Sequence, residues 1–258
     1  MNYVTSADGT RIAYGRTGSG PVIILVDGAL CSRAMGPMSA LAKLLSKDFT
    51  VIQYDRRGRG ESSDTAPYST DREIDDLQAL VQMAGGSPAV FGISSGAVLA
   101  VKAAARGVGL GKLALYEPPV LIASQTTEHT DHVTRLSAFI AAGKHSQAVQ
   151  YFLKTMVGVP KPVVAIMRLL PFWSKLKAVA PTLPYDAKLT QTGSLTPEGL
   201  ASIKVPALVL WGEKSPVFLK DSSKQTAAAL PGAKTLELKG QTHNVSPKVL
   251  VPALKGFF

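Results

Sequence analysis

The sequence predicts an α/β fold: a mainly parallel β-sheet flanked by helices and interrupted late in the chain by a helical insertion. Three observations predict it. Residues 2–15 alternate polar and apolar around Asp8-Gly9, as a β-hairpin does. Short continuous apolar runs follow, mostly separated by stretches of helical periodicity, and strand alternating with helix implies parallel strands joined by right-handed crossovers. The alternation stops between Glu117 and Val205, where prolines are scattered and strand signal nearly vanishes.

After the hairpin, the runs at Pro21–Val26, Phe49–Tyr54, Ala89–Ile93, Leu113–Tyr116, Ala207–Trp211 and Thr235–Leu238 read as strands covered on both faces. Helical periodicity occupies Met35–Leu45, Thr70–Met83, Ser95–Arg106, Leu219–Leu230 and Ser246–Phe258. The insertion carries helical pattern over Thr127–Ala142, Ser146–Val157 and Pro162–Ala178. The expected division is a core of residues 1–117 and 206–258 and an inserted helical segment of 118–205.

Composition narrows the function classes. With 46% hydrophobic and 18% charged residues among 258, the chain can bury a sizeable core, which excludes a disordered, collagen-like or coiled-coil protein. The single cysteine, Cys31, excludes an intramolecular disulfide, and four scattered histidines without a CxxC give no structural zinc pattern. Neither a signal peptide nor a membrane-length apolar run is evident, so a cytoplasmic protein is expected. The formal charge is +10, distributed as +1 over residues 1–117 (12 basic, 11 acidic), +5 over 118–205 (9 and 4) and +4 over 206–258 (7 and 3). Lysines dispersed at helical spacing, with no recognised nucleic-acid module, read as solvated helix faces with a mild attraction for anionic substrates or surfaces.

The chemistry begins at Ala89-Val90-Phe91-Gly92-Ile93-Ser94-Ser95-Gly96-Ala97. An apolar strand runs into GxSxG and a small-residue helix starts at once, which is the context that a nucleophile elbow requires. Ser94 would project from the carboxyl edge of the sheet, where the helix N-terminus and the Ser95 amide stabilise negative charge developing on a substrate oxygen. A serine nucleophile needs a base. His129, His132 and His145 lie in the insertion, whereas His243 follows the last strand, three residues past Gly240, in a loop that can reach Ser94.

These residues resemble the α/β-hydrolase superfamily over nearly the whole chain. Asp55-Arg56-Arg57-Gly58-Arg59-Gly60-Glu61-Ser62 is similar to the family's DxRGxGxS turn, and the insertion falls where the family commonly places a helical lid, between the sixth and seventh strands. The resemblance implies an α/β-hydrolase fold with an eight-stranded, mainly parallel sheet. It also implies an oxyanion hole made by the amides of Ala29 and Ser95, with Asp27 standing where the family usually has histidine. A carboxylate there opposes an oxyanion unless it is paired or turned away.

A second departure concerns the triad acid, which the family usually places after the seventh strand as an aspartate three residues past a glycine. Here that position is Ser215. Three carboxylates could replace it: Glu117, just past the sixth strand, from which some branches of the superfamily draw their acid; Glu213; and Asp221, expected on the following helix and facing solvent. Glu117 is the expected acid.

The resulting expectation is a serine hydrolase cleaving a carboxylic ester or lactone, with Ser94, His243 and Glu117 as triad and no metal or organic cofactor. Serine at the elbow argues against the carboxylate-nucleophile chemistry of dehalogenases and epoxide hydrolases. The insertion would form a lid, with Tyr151, Phe152, Met156, Phe172 and Trp173 among its candidates for an apolar pocket wall, and Cys31 would be an inert thiol. Expected partners are small ester-like substrates, with no nucleic acid and no membrane; a homodimer is left open. The alternatives are an acyltransferase, C–C hydrolase or lyase using the same site, and a non-catalytic ligand-binding homologue.

Overall fold

A computed structural model describes residues 2–119, 131–191 and 195–258. The hairpin strands β1 (Asn2–Thr5) and β2 (Arg11–Thr17) are antiparallel. They lead into β3 (Val22–Val26), β4 (Thr50–Tyr54), β5 (Ala89–Ile93), β6 (Lys112–Tyr116), β7 (Ala207–Gly212) and β8 (Lys234–Leu238). The eight strands form one sheet in the order β1-β2-β4-β3-β5-β6-β7-β8, parallel from β4 onward. Central strands are buried, as their continuous apolar sequence requires. The expectation of two covered faces fails at β8, an edge strand whose first four residues are exposed.

Helices α1 (Met38–Leu45), α2 (Thr70–Met83) and α3 (Ser95–Ala105) alternate with the early strands. The first begins three residues later than its periodicity suggests, because Gly36 takes a positive φ and Pro37 supplies the cap. Two apolar clusters sandwich the sheet. One joins α2 and α3 to residues such as Ile24, Ile52 and Val90; the other joins α1 and the C-terminal helix to Ile23, Val51 and Phe91.

Between β6 and β7 the described residues form α4 (His132–Ala141), α5 (His145–Tyr151), a π-helical turn at Phe152–Met156, α6 (Lys161–Met167), α7 (Trp173–Val179), a 3-10 turn at Ala180–Thr182, α8 (Leu183–Leu189) and α9 (Pro197–Ala201). The start of the expected 127–142 helix lies outside the described residues up to 130. The single helix expected over Pro162–Ala178 is two, broken by turns around Pro171. Helices α8 and α9 were not anticipated, since three prolines within 181–197 mask a short helical pattern. A third apolar cluster, with Leu136, Val149, Trp173 and Leu183, belongs to this segment. Helices α10 (Val217–Ala229) and α11 (Pro247–Phe257) complete the chain. Among the described residues no helix is long and apolar enough to cross a membrane.

Candidate active site

The parallel register brings the candidate residues together. Val26 pairs with Gly92, Ile93 with Tyr116, and Tyr116 with Leu210, so Asp27, Ser94 and Glu117 all emerge from the carboxyl edge of adjacent strands. Their backbones are unusual in a common way. Among the described residues only Leu30, Ser94 and Glu117 are non-glycines with positive φ, at 58°, 55° and 47°. Such conformations cost about 1–3 kcal/mol each and persist where surrounding structure imposes them. Here the Ser94 amide donates to Tyr116 O (2.9 Å) and the Glu117 amide to Leu210 O (3.0 Å), extending the sheet ladder into the strained residues.

The elbow depends on its glycines. A Cβ on Gly96 would lie 2.3 Å from Val26 O, and one on Gly92 would lie 2.6 Å from Ala97 Cα, so neither tolerates a side chain. The loop after β3 passes just as closely, since a Cβ on Gly28 would stand 3.2 Å from Ser94 Cβ. Ala29, Ser94, Ser95 and His243 therefore face one cavity of about 80 Å³, walled on its apolar side by Phe152, Met156, Val157 and Phe218. Of the aromatic wall candidates, Phe152 reaches this cavity, Tyr151 and Trp173 pack within the insertion, and Phe172 is exposed.

His243 Nδ1 lies 2.6 Å from Glu117 Oε2, and the other carboxylate oxygen accepts the Gly212 amide at 2.7 Å. Glu117 is fully buried. Burial pushes its pKa up, but the hydrogen bonds from His243 and Gly212 outweigh this and hold the carboxyl below its ordinary value. Ser215, at the family's usual acid position, is buried beside it; its hydroxyl makes no hydrogen bond of good geometry yet favours the carboxylate. The histidine loop is held by Tyr116, whose hydroxyl donates to Thr242 O at 2.6 Å. Ser94 and His243 share the cavity without a hydrogen bond between them, a contact that commonly tightens only when substrate is bound. Glu213 instead caps the Gly240 amide (2.7 Å), and Asp221 is exposed on α10, so neither meets His243.

Asp27 is buried. Its Oδ1 accepts the Gly28 amide (3.0 Å), and its other oxygen faces Gly36 and Cys31. Among the described residues no cation pairs with it, and burial raises its pKa to about 7 despite the Gly28 amide and the more distant Arg59 and Arg56. The Cys31 thiol is pushed well above its ordinary value by burial and by Asp27.

The largest element not legible in the sequence is a buried ionic network behind the loop that follows β3. Asp186, on α8, accepts Arg56 Nη1 (2.9 Å) and Ser95 Oγ (2.8 Å) on one oxygen and Arg59 Nη2 (2.7 Å) on the other. The arginines continue to the loop itself: Arg59 Nη1 donates to Gly28 O at 2.7 Å, and Arg56 Nη1 approaches Asp27 O at 3.4 Å. Arg56 Nε also donates to Glu73 Oε1 (2.6 Å), whose second oxygen accepts Tyr68 OH (2.7 Å). Burial alone would raise the Asp186 and Glu73 pKa values, but the arginines override it and hold both carboxyls low. Arg57, the arginine that matches the family turn, points elsewhere, with two 2.7 Å bonds to Asp76. Among the described residues no group of three or more His, Cys, Asp or Glu could hold a metal ion.

Comparison with known proteins agrees with this architecture. The alpha/beta hydrolase family model matches residues 23–253. An alpha/beta hydrolase from Sphaerobacter thermophilus is 45% identical and superposes with a TM-score of 0.91, with all of both chains covered. A thermophilic esterase from Thermogutta terrifontis superposes with a TM-score of 0.77 at 21% identity, covering 99% of this chain and 96% of that one, a likeness of fold. The uncharacterized hydrolase YraK of Bacillus subtilis is 35% identical over 102 residues, 38% of this chain and 37% of that protein, so the match spans little over a third of the curated relative.

Proposed function

Since the chain belongs to the alpha/beta hydrolase family, we propose that it is a serine hydrolase that cleaves a carboxylic ester or lactone through an acyl-enzyme on Ser94. The observation that carries this reading is the 2.6 Å contact between buried Glu117 and His243, at a cavity that also contains Ser94. His243 takes the Ser94 proton as the hydroxyl oxygen attacks the carbonyl carbon. The Ala29 and Ser95 amides receive the oxyanion. His243 then returns the proton to the leaving alkoxide, and in the second half it deprotonates the water that releases the acid. Glu117 fixes the histidine tautomer and offsets the imidazolium charge. Residues 118–205 act as the lid, with Phe152 and Met156 against the substrate.

Two features favoured a non-catalytic homologue: the serine at the usual acid position and the carboxylate at Asp27. Glu117 supplies what Ser215 lacks. Asp27 directs its carboxyl toward Gly36 and Cys31, and at a pKa of about 7 it is only partly ionised near neutral pH, which eases its opposition to an oxyanion.

A fluorophosphonate probe tests the proposal. Wild type should label at Ser94, Ser94→Ala should not label, and His243→Ala and Glu117→Gln should label slowly. Folded wild type that resists the probe and hydrolyses no ester or lactone overturns the reading; normal labelling and turnover in Glu117→Gln removes Glu117 from the mechanism.

A further inference from the structure

The insertion carries a surface that the hydrolase reading does not use. From residue 131 to residue 191 the sequence has eight basic residues and two acidic ones, Asp131, which is exposed and caps α4, and Asp186. Asp186 is buried and committed to Arg56 and Arg59. Seven of the eight cations are exposed, Lys154 being half-buried, and none of the eight forms an ion pair among the described residues. A shallow depression on this segment includes Lys144 and Lys177 in its lining and contains no carboxylate.

The same segment carries a run of exposed apolar side chains. Val163, Ile166, Leu169, Leu170 and Phe172 lie within ten residues of α6 and the turn after it, with Ile166 61% and Leu169 85% exposed. Helical spacing puts Val163 and Ile166 on one side of α6, while Val164 turns inward to the insertion's core. Lys161 and Lys175 flank the run in sequence and Arg168 lies within it. Isolated exposed leucines need no explanation, but five exposed apolar residues within ten positions, interspersed with cations, do.

We propose that α6 and the following turn dock the protein on an anionic lipid surface, the apolar side chains entering the headgroup–acyl boundary while the surrounding lysines and arginines meet lipid phosphates. Charge selects this occupant. A second copy of the chain would bring the same uncompensated positive surface to a two-fold contact, where like charges repel. An acidic protein would satisfy the charge. However, Leu169 stands 85% exposed in the turn that follows α6, an exposure suited to insertion into a fluid interface. Polybasic surfaces gain affinity additively from each cation near an anionic bilayer, and apolar insertion adds to it. Peripheral docking departs from the expectation, drawn from the sequence, of no membrane partner. It is independent of whether Ser94 is a nucleophile.

Cosedimentation of the full chain with phosphatidylcholine vesicles, with and without phosphatidylglycerol, tests it. Wild type should bind the anionic vesicles, leave the neutral ones in solution, and be released by salt as the Debye length shrinks. Lys161→Gln and Arg168→Gln should each lower partitioning about fivefold. Leu169→Asp should lower it at least tenfold, by losing the inserted side chain and adding a repelled charge. All three sit on the surface, and an unchanged melting temperature shows that they remain folded. Equal binding to both vesicle types, or binding to neither, overturns the proposal. So does vesicle binding that Leu169→Asp leaves intact, the result expected of a site that reads only acidic charge. A wild-type dimer that Leu169→Asp dissociates, without vesicle binding, assigns the face to self-association and overturns it equally.

Discussion

Replacing Asp186 by asparagine tests whether the buried network holds the oxyanion loop in place. The aspartate compensates Arg59, which pairs with no other carboxylate among the described residues, and shares Arg56 with Glu73. Asparagine keeps the shape but removes the charge and turns an N–H donor toward a guanidinium. Breaking a buried ion pair by removing one partner costs about 3–5 kcal/mol, and the weakened acceptor for Ser95 Oγ adds about 1 kcal/mol. At about 2–4 °C per kcal/mol for a domain of this size, the melting temperature should fall by about 8–24 °C. Catalysis should also suffer. Arg59 orients the Gly28 carbonyl, hence the peptide that carries the Ala29 N–H, and a donor displaced by under an ångström loses part of the 10²–10³-fold effect of one oxyanion donor. The expected fall in kcat is about 10- to 100-fold, with a smaller change in KM. Thermal denaturation and steady-state hydrolysis of a chromogenic ester provide the two readouts. The pair Asp186→Leu with Arg59→Met should recover part of the stability, since two apolar groups replace two compensated charges, but not the rate. If Asp186→Asn melts within 2 °C of wild type, as less than about 1 kcal/mol would give, and keeps its kcat, the positioning argument is wrong.

Other outcomes follow from single features of the site. Asp27 is buried with its pKa raised to about 7, so its neutral form stabilises the fold at low pH and that contribution is lost as pH rises from about 4 through 7; the difference is about 4 kcal/mol. Asp27→Asn should remove this dependence, and parallel urea-denaturation curves for mutant and wild type between pH 5 and 8, values that bracket a pKa of about 7, would refute it. Glu117, Glu73 and Asp186 have lowered pKa values, so their stabilisation is present above the unfolded carboxylate range and is lost as pH falls through their folded values; Glu117→Gln should flatten part of that acid limb and lower kcat by about 10³- to 10⁴-fold. Tyr116→Phe removes the hydroxyl that holds Thr242 O, costing about 1–3 kcal/mol and loosening His243; an unchanged melting temperature and rate would show that the loop is held otherwise. Gly96→Ala places a methyl 2.3 Å from Val26 O and should destabilise by about 1–3 kcal/mol or more, read as a lower denaturation midpoint.

The sheet was legible because its signal is local. A central strand needs a continuous apolar run, and Ala89–Ile93 and Thr70–Met83 match their observed bounds because strand and helix each end at a strong boundary, the elbow in one case and the Ser69 cap in the other. That Ser94 and His243 share one cavity was legible for the same reason, each sitting at a fixed offset from a strand end. Glu117 could be nominated from its place after β6, although its left-handed backbone leaves no local sign in a non-glycine residue. The Asp186 network was not legible. Its members are separated by 127 and 130 residues, and its carboxylate sits on a helix whose prolines hide the periodicity. One signal was present: Asp186 is the single acidic residue in the stretch 132–191.

That isolation has a consequence for how the insertion and the site depend on each other. A surface carboxylate among so many cations would have a choice of partners, whereas Asp186 is fully desolvated and its partners are two arginines of the sheet-edge turn. Desolvation makes the interaction costly to break: withdrawal of α8 would leave Asp186 and Arg59 uncompensated, while Arg56 keeps Glu73. Through Asp186 the helix pairs with Arg59, which holds Gly28 O, and it accepts the hydroxyl of Ser95, which follows Ser94 in the cavity lining. The apolar wall offered by Phe152 and Met156 belongs to the same inserted segment. The inserted segment thus meets the site twice, through the Phe152 and Met156 wall and through Asp186, whose arginine partner Arg59 holds the Gly28 carbonyl beside the Ala29 amide of the proposed oxyanion hole.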